Sequence, residues 1–498
     1  MGRIVDTDEL NSTNYNTVQF SDLTASIKSI ASRKWGILLL ICMYTYLQRI
    51  GLQSLNYFLF TIFLIWLIIR LFALSSWFLK EDKTGVINRF NRKRMWKLFG
   101  SLSGIFVIFI ILSATIFLNF SDQVGGNAQD HNSPHYKDGM FHNLLPTEIG
   151  TDNVSFFSTA LEYLLSNEHT APTDILPTHE FEPIPLEEGE ISVTWFAHST
   201  ILVQTNQTNI LIDPIFGKDN MDPLFFGPSP FPFEHTYSID DLPKIDHVLI
   251  SHDHYDHLDM DSIKALKGAT FHVPLGVKAH LVKWNIWSYD INEYDWYDSL
   301  ELNDNLSLTL TPSQHFSGRG LFNGDSTLWG SWVIEIEEWD LFFSGDSGYS
   351  SEFKTIGERF GPFDFAFVEC GQYNEAWSEI HMFPDQTVQA AIDLQASAVL
   401  PIHNSKYELA LHAWDSPLED ARKAGIEKNM QVVTPMIGQT FLVNQSMPQD
   451  AWWHDVPDIH HASWTESQWF GWVLPLLTIA GLVGVWRQRM ADSLLEQE

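Results

Sequence analysis

Between Ser251 and Asp259 the chain reads SHDHYDHLD, which places His252, His254, Asp256 and His257 within six positions. A lone histidine is ordinarily a structural or surface residue, as expected here for His272 and His412. Three histidines and an aspartate packed this closely are a metal-ligand cluster, because imidazole nitrogens and carboxylate oxygens are the donors that zinc-type ions take. The preceding run, IDHVLI, has strand composition, so the cluster leaves the end of a strand. Three later strand-like runs end the same way: LSLTLTPSQ at His315, LFFSG at Asp346 and AVLPI at His403. Ligand groups collect at the strand ends of α/β sheets, where a rigid sheet positions them and loops leave the site open.

Seven ligands are too many for one tetrahedral ion but suit two neighbouring ions, about 3.5–4 Å apart. Such a pair holds a hydroxide between its members and clamps a substrate oxygen as charge develops on it. Asp346, a lone carboxylate on a later strand, is the natural bridge. Imidazole and carboxylate donors suit zinc, and they also suit iron or manganese.

From residue 191 the pattern is strand after strand. ISVTWFA, TILVQT, TNILIDPIF, IDHVLISH, ATFHVP, LSLTLTPSQH, SWVIEIE, LFFSGD, DFAFVEC and AVLPIH read as short β-rich runs, with helical stretches such as 259–268 and 384–396 between them. This alternation predicts an α/β domain over 186–447. Residues 121–185 read as a linker that turns helical at 155–168.

Both ends of the chain differ in character. Residues 1–34 are a polar tail, and three apolar runs follow at 35–47, 55–79 and 98–120. A fourth, 469–486, comes after a juxtamembrane linker (448–468) and precedes a short tail, 487–498. About 20 apolar residues cross a bilayer as a helix, so N- and C-terminal transmembrane helices are expected; only 35–47 is short for the task. Basic residues crowd the loop 80–97, flank the first run at Arg33 and Lys34, and follow the last at Arg487 and Arg489. The positive-inside rule puts these in the cytoplasm. The expectation is a multi-pass protein of the cell membrane with residues 121–468 outside the cytoplasm.

Charge agrees with this division and excludes one class of partner. Residues 121–468 hold 53 acidic and 14 basic residues, a balance of −39 within a chain of net charge −33. A nucleic-acid binder needs a basic face to replace phosphate counterions, and this balance argues against one.

The HDHYDHLD segment matches the HxHxDH signature of the metallo-β-lactamase superfamily, with His315, Asp346 and His403 in the order of its later ligand motifs. More specifically, residues 190–445 resemble the family of N-acylphosphatidylethanolamine-hydrolysing phospholipases D and their bacterial relatives. The segments TWFAHSTILV, LIDPIF, LPKIDHVLISHDHYDHLD, TPSQHFSGRG, STLWGSW, FFSGDSGY and IGERFGPFD carry that resemblance. It implies a metallo-β-lactamase αβ/βα sandwich with two zinc ions. His252, His254 and His315 would hold one ion and Asp256, His257 and His403 the other, with Asp346 bridging. Asp256 and His381 would be the catalytic side chains, the latter serving a phosphate oxygen or the leaving group. Asp213 would orient the metal loop, and His198 is expected to be structural more often than catalytic. The segment ECGQYNEAWSE (369–379) departs from the family pattern beside the substrate cleft.

The expected activity is hydrolysis of N-acylphosphatidylethanolamine or a related membrane lipid by a hydroxide generated on the metal pair. The same machinery would serve a lactone or amide hydrolase, and a non-enzymatic zinc-binding membrane protein is the third possibility. The expected partners are the lipid substrate and the bilayer, and the sequence does not fix an oligomeric state.

Overall fold

A computed structural model describes residues 121–147, 169–217, 228–303, 305–320, 323–445 and 447–457, with eight helical positions between 104 and 117. The expected membrane runs at 35–47, 55–79, 98–120 and 469–486 lie outside the described residues apart from those eight positions, as does the helical period at 155–168. Among the described residues no helix is long and apolar enough to cross a membrane.

A short hairpin, β1 (Tyr136–Lys137) and β2 (Met140–Phe141), precedes the main body. The strands then run β3 (Ser192–Trp195), β4 (Ile201–Gln204), β5 (Asn209–Ile212), β6 (His247–Leu249), β7 (Thr270–Pro274), β8 (Ile291–Tyr294), β9 (Ser299–Asn303) and β10 (Leu306–Thr311). The remainder are β11 (Ser331–Ile336), β12 (Trp339–Phe343), β13 (Phe365–Glu369), β14 (Ala398–Ile402), β15 (Gln431–Val432) and β16 (Thr440–Leu442). Two seven-stranded sheets result, ordered β16-β3-β4-β5-β6-β7-β8 and β15-β14-β13-β12-β11-β10-β9. In each, antiparallel pairing gives way to parallel pairing part-way across, at β5–β6 in the first sheet and at β12–β13 in the second.

Residue alternation explains why the sheets face one another. Successive side chains of a strand point to opposite faces. On β13, Phe365 and Phe367 enter the core between the sheets, while Ala366 and Val368 enter the outer layer. On β6, Leu249 points inward and Val248 outward. Such strands are buried on both faces, as expected for parallel strands covered by helices. The helices are α1 (Met260–Ala265), α2 (Lys278–Lys283), α3 (Glu352–Phe360), α4 (Pro384–Asp393) and α5 (Ser416–Lys428). Ile263 of α1 and Leu281 of α2 pack outside the first sheet; Ile356 of α3, Val388 of α4 and Ala421 of α5 pack outside the second. From β3 to β16 the described residues form an αβ/βα sandwich.

Two expected helices are shorter than the sequence pattern suggests. Asp259 is a cap rather than a helical residue, its carboxylate accepting from the Asp261 and Ser262 amides, and Gly268 at φ +102° turns the chain away before β7. The helix from Pro384 stops at Asp393 because Gln395 takes a left-handed φ of 58° to enter β14.

Residues 121–147, expected as a linker, lie against the sandwich. Val124 and Phe141 are buried, and Phe141 joins the central core. Arg319 donates to the carbonyls of Gln123 and Val124 from one side of its guanidinium and to those of Asp253 and Leu258 from the other, at 2.7–3.1 Å. This strap is thereby tied to the loop that carries the HDHYDH motif.

Trp332 is the clearest link between the sheets, since it stands on β11 while its indole donates to the Ile250 carbonyl beyond β6 at 3.0 Å. Replacing it by Ala is expected to cost about 3–5 kcal/mol, read as a lower urea midpoint. Trp332→Phe, which keeps most of the volume, is expected to lose about 1–3 kcal/mol for the Ile250 carbonyl left without its donor.

Candidate metal centre

The loops after β5, β6, β10, β12 and β14 all open at one edge of the sandwich, and each brings a sequence-expected residue there. Asp213 follows β5, the HDHYDH loop follows β6, His315 follows β10, Asp346 follows β12 and His403 follows β14. The backbone is bent to achieve this: Asp213 and His403 adopt φ values of 41° and 67°, a region non-glycine residues enter only under constraint.

Asp346 sits at the middle, and its two oxygens face different partners. Oδ2 lies 3.8 Å from His252 Nε2 and 3.6 Å from His315 Nε2. Oδ1 lies 3.1 Å from His257 Nε2 and 3.0 Å from His403 Nδ1. His254 turns Nδ1 towards the first set, 2.9 Å from His252 Nε2 and 3.2 Å from His315 Nε2. Among the described residues, three overlapping groups of donor atoms, each within a 4.8 Å span, could hold a cation: His252, His254, His315 and Asp346; His198, Asp256, His257 and His403; and Asp346, His381 and His403. All seven sequence-expected ligands are brought together.

The donors are prepared for cations. His257 Nε2 and Asp346 Oδ1 are buried, yet neither makes a hydrogen bond. Leaving such atoms unsatisfied is costly unless something positive lies between them. Burial, reinforced by neighbouring imidazoles, holds His252 and His315 well below the usual histidine range, which keeps a lone pair on each ring. For Asp346, burial alone would raise the pKa, but His257 and His403 outweigh it and hold the carboxyl well below its ordinary range. His257 is the opposite case: burial would lower it, but Asp346, Asp256 and Asp213 outweigh that and hold it well above the usual histidine range. Imidazoles around an ionised carboxylate are a donor set that fits divalent ions of the zinc type.

Asp213 fixes the loop from behind. Its carboxylate accepts from the Ser251 amide at 2.8 Å and hydroxyl at 2.6 Å, and lies 2.7 Å from His257 Nδ1, leaving His257 Nε2 to face Asp346. This is the orienting role expected of it. His198 is more central than sequence reasoning made it: fully buried, it lies 2.9 Å from Asp256 Oδ2 through Nε2 and packs against His403 at a ring distance of 4.2 Å.

His381 also reaches the site, stacked on His403 with ring centroids 5.2 Å apart and planes 12° apart. Behind it lies a residue that sequence reasoning missed. Glu369, at the end of β13, faces His381 Nδ1 at 3.0 Å through one oxygen and accepts the Met382 amide at 2.8 Å through the other. Burial, with Asp346 adding to it and His403 opposing, pushes the Glu369 carboxyl well above its normal pKa. The available signal was an acidic residue closing an otherwise apolar strand, FAFVE. Asn143 of the strap, also unexpected, donates to the His315 carbonyl at 2.8 Å and accepts the His315 amide at 3.2 Å. An open cleft of about 560 Å³ runs from His315 and Trp329 to Phe141, Leu145 and Pro146 of the strap.

Comparison with known proteins agrees with this geometry. Residues 208–404 match the model of the Beta-lactamase superfamily domain. An uncharacterised protein of Mycobacterium tuberculosis is 34% identical over 345 residues, covering 67% of this chain and 91% of the relative. The N-acyl-phosphatidylethanolamine-hydrolyzing phospholipase D 1 of Caenorhabditis elegans is 32% identical over 251 residues, covering 47% of this chain and 69% of that protein. The chain belongs to the metallo-β-lactamase superfamily. The mitochondrial N-acyl-phosphatidylethanolamine-hydrolyzing phospholipase D of Saccharomyces cerevisiae is 31% identical over 253 residues, covering 48% of this chain and 53% of that protein. Membership, with the donor clusters, makes this chain a metal-dependent hydrolase of the superfamily whose fold implies divalent metal ions.

Asp213→Asn should leave the chain folded but misdirect His257. Metal affinity, measured by competition with a chromogenic chelator, is expected to fall about 10–100-fold.

Proposed function

We propose that this protein is a membrane-anchored phosphodiesterase of the phospholipase D type, using two zinc ions to cleave N-acylphosphatidylethanolamine or a closely similar lipid. The observation that carries the two-ion reading is the division of Asp346 between two histidine sets. In this reading His252, His254 and His315 would hold one ion and Asp256, His257 and His403 the other, with Asp346 available to either. When bound, such a pair lowers the pKa of water from about 15.7 towards 7 and offsets negative charge on the substrate.

The side chains of the protein supply the rest. Asp256, fixed by His198, is placed to accept the proton of the attacking water. As water adds to phosphorus, the bond to the ethanolamine oxygen breaks. His381 gives that oxygen its proton, leaving phosphatidic acid and an N-acylethanolamine. Glu369 holds Nδ1 of His381, so Nε2 is the atom left to face the substrate. Leu145 and Pro146 give the cleft beside His315 an apolar stretch for an acyl chain, and His142, Asn143, Thr147 and Asp325 a polar one for a headgroup.

The apolar runs 35–47, 55–79, 98–120 and 469–486 support the anchoring, and their basic flanks favour a catalytic domain outside the cytoplasm. Tethering in this way raises the effective concentration of a membrane substrate.

Detergent-solubilised full-length protein, loaded with zinc, should convert N-acylphosphatidylethanolamine to phosphatidic acid and N-acylethanolamine, detected together by mass spectrometry. Asp346→Ala should be silent, and His381→Ala should retain metal but lose about 10²–10⁴-fold in kcat. An intact lipid with metal bound, and turnover of a lactone instead, would replace the lipid reading with carbonyl hydrolysis.

A further inference from the structure

The loop after α2 exposes two aromatic rings that no part of the catalytic reading uses. Trp287 is 68% exposed and Tyr289 79%, their ring planes lie 14° apart with centroids at 6.0 Å, and Val282 on the preceding helix is 45% exposed. Isolated apolar residues on a surface are ordinary. A preassembled Trp–Tyr pair, in a domain whose large side chains are otherwise mostly buried, is a feature that needs a partner.

What lies beside it indicates which partner. The same helix and loop grip the start of the strap: Lys283 Nζ donates to the carbonyls of Ser121 and Gly125 at 2.9 and 2.8 Å, and the Trp284 indole donates to that of Asp122 at 2.6 Å. The fit is close enough to demand glycine. A Cβ on Gly126 would fall 2.1 Å from the Ala279 carbonyl oxygen, and one on Gly125 2.2 Å from His280 Nδ1. Ser121 in turn donates its amide to the Phe117 carbonyl at 2.9 Å, at the end of the apolar run 98–120. Phe106 and Leu112 of that run are helical and more than two-fifths exposed. Trp287 is three residues beyond Trp284, at most about 11 Å of Cα path from the residue that holds Asp122.

We infer that Trp287, Tyr289 and Val282 form an interfacial foot that rests in the headgroup region of the bilayer. This rests on the reading that residues 98–120 cross that bilayer. Tryptophan and tyrosine are the residues enriched at this depth, because each has an apolar body and one polar hydrogen-bonding tip. The foot and the end of the apolar run are two attachments to one surface. Together they restrict rotation of the catalytic domain about the strap, which a single tether does not.

The test uses the full-length chain in vesicles of phosphatidylcholine and phosphatidylglycerol. A bimane label is placed by Tyr289→Cys or, as a control on the exposed face of α5, Ile426→Cys, with Cys42→Ser and Cys370→Ala removing the native thiols. Quenching by lipids carrying a nitroxide near the headgroup should be at least about threefold stronger at 289 than at 426. Equal quenching at the two positions, with the protein retained in the vesicles through alkaline carbonate, overturns the foot and leaves the anchor standing. Release by carbonate removes the anchor reading and the foot with it. A blue-shifted but unquenched label at 289 overturns the proposal in favour of a second protein chain covering the pair.

Discussion

Burying a carboxylate among imidazoles is tolerable only when each of its oxygens has something positive to face, and Asp346 is placed under that constraint by the whole sandwich. One oxygen looks towards His252 and His315, the other towards His257 and His403. Those four histidines come from both sheets, so neither half of the fold completes the centre alone. The core between the sheets, with Trp332 reaching from β11 to the Ile250 carbonyl, sets the spacing at which the two ligand sets meet. Asp213, Ser251 and the left-handed turn at His403 supply the remaining aim.

A second layer of contacts brings the strap into the same arrangement. Arg319 joins carbonyls of the strap to carbonyls of the metal loop, and Asn143 brackets the peptide of His315. Buried cations and amides that satisfy several backbone groups at once are costly to lose, because each released carbonyl is left unpaired. The segment that follows the third apolar run is therefore part of the support of the metal centre and also one wall of its cleft.

The convergence of the candidate ligands was legible in the sequence because metal chemistry demands particular residue types at strand ends. His252, His254, Asp256, His257, His315, Asp346 and His403 all converge, and the ten β-rich runs correspond to strands or strand ends. What was not legible has physical reasons. The strap contributes backbone carbonyls to Arg319 and Lys283, and a carbonyl has no side-chain signature. Glu369 acts through a strand terminus whose neighbour in space, His381, lies twelve positions on across an irregular loop. His198 looked structural because a single histidine after a strand gives no hint that it will meet Asp256. Helix ends moved where a cap or a left-handed residue, Asp259 or Gln395, interrupted a periodic pattern.

If one carboxylate divides a single buried cluster into two cation sites, the metal content of the chain must show it. Elemental analysis of the purified full-length protein by inductively coupled plasma mass spectrometry, after saturation with zinc and removal of free metal, tests it most directly. Two zinc ions per chain are expected in the wild type and fewer than two in Asp346→Ala. One ion or none per wild-type chain, in a preparation that still hydrolyses its substrate, would contradict it.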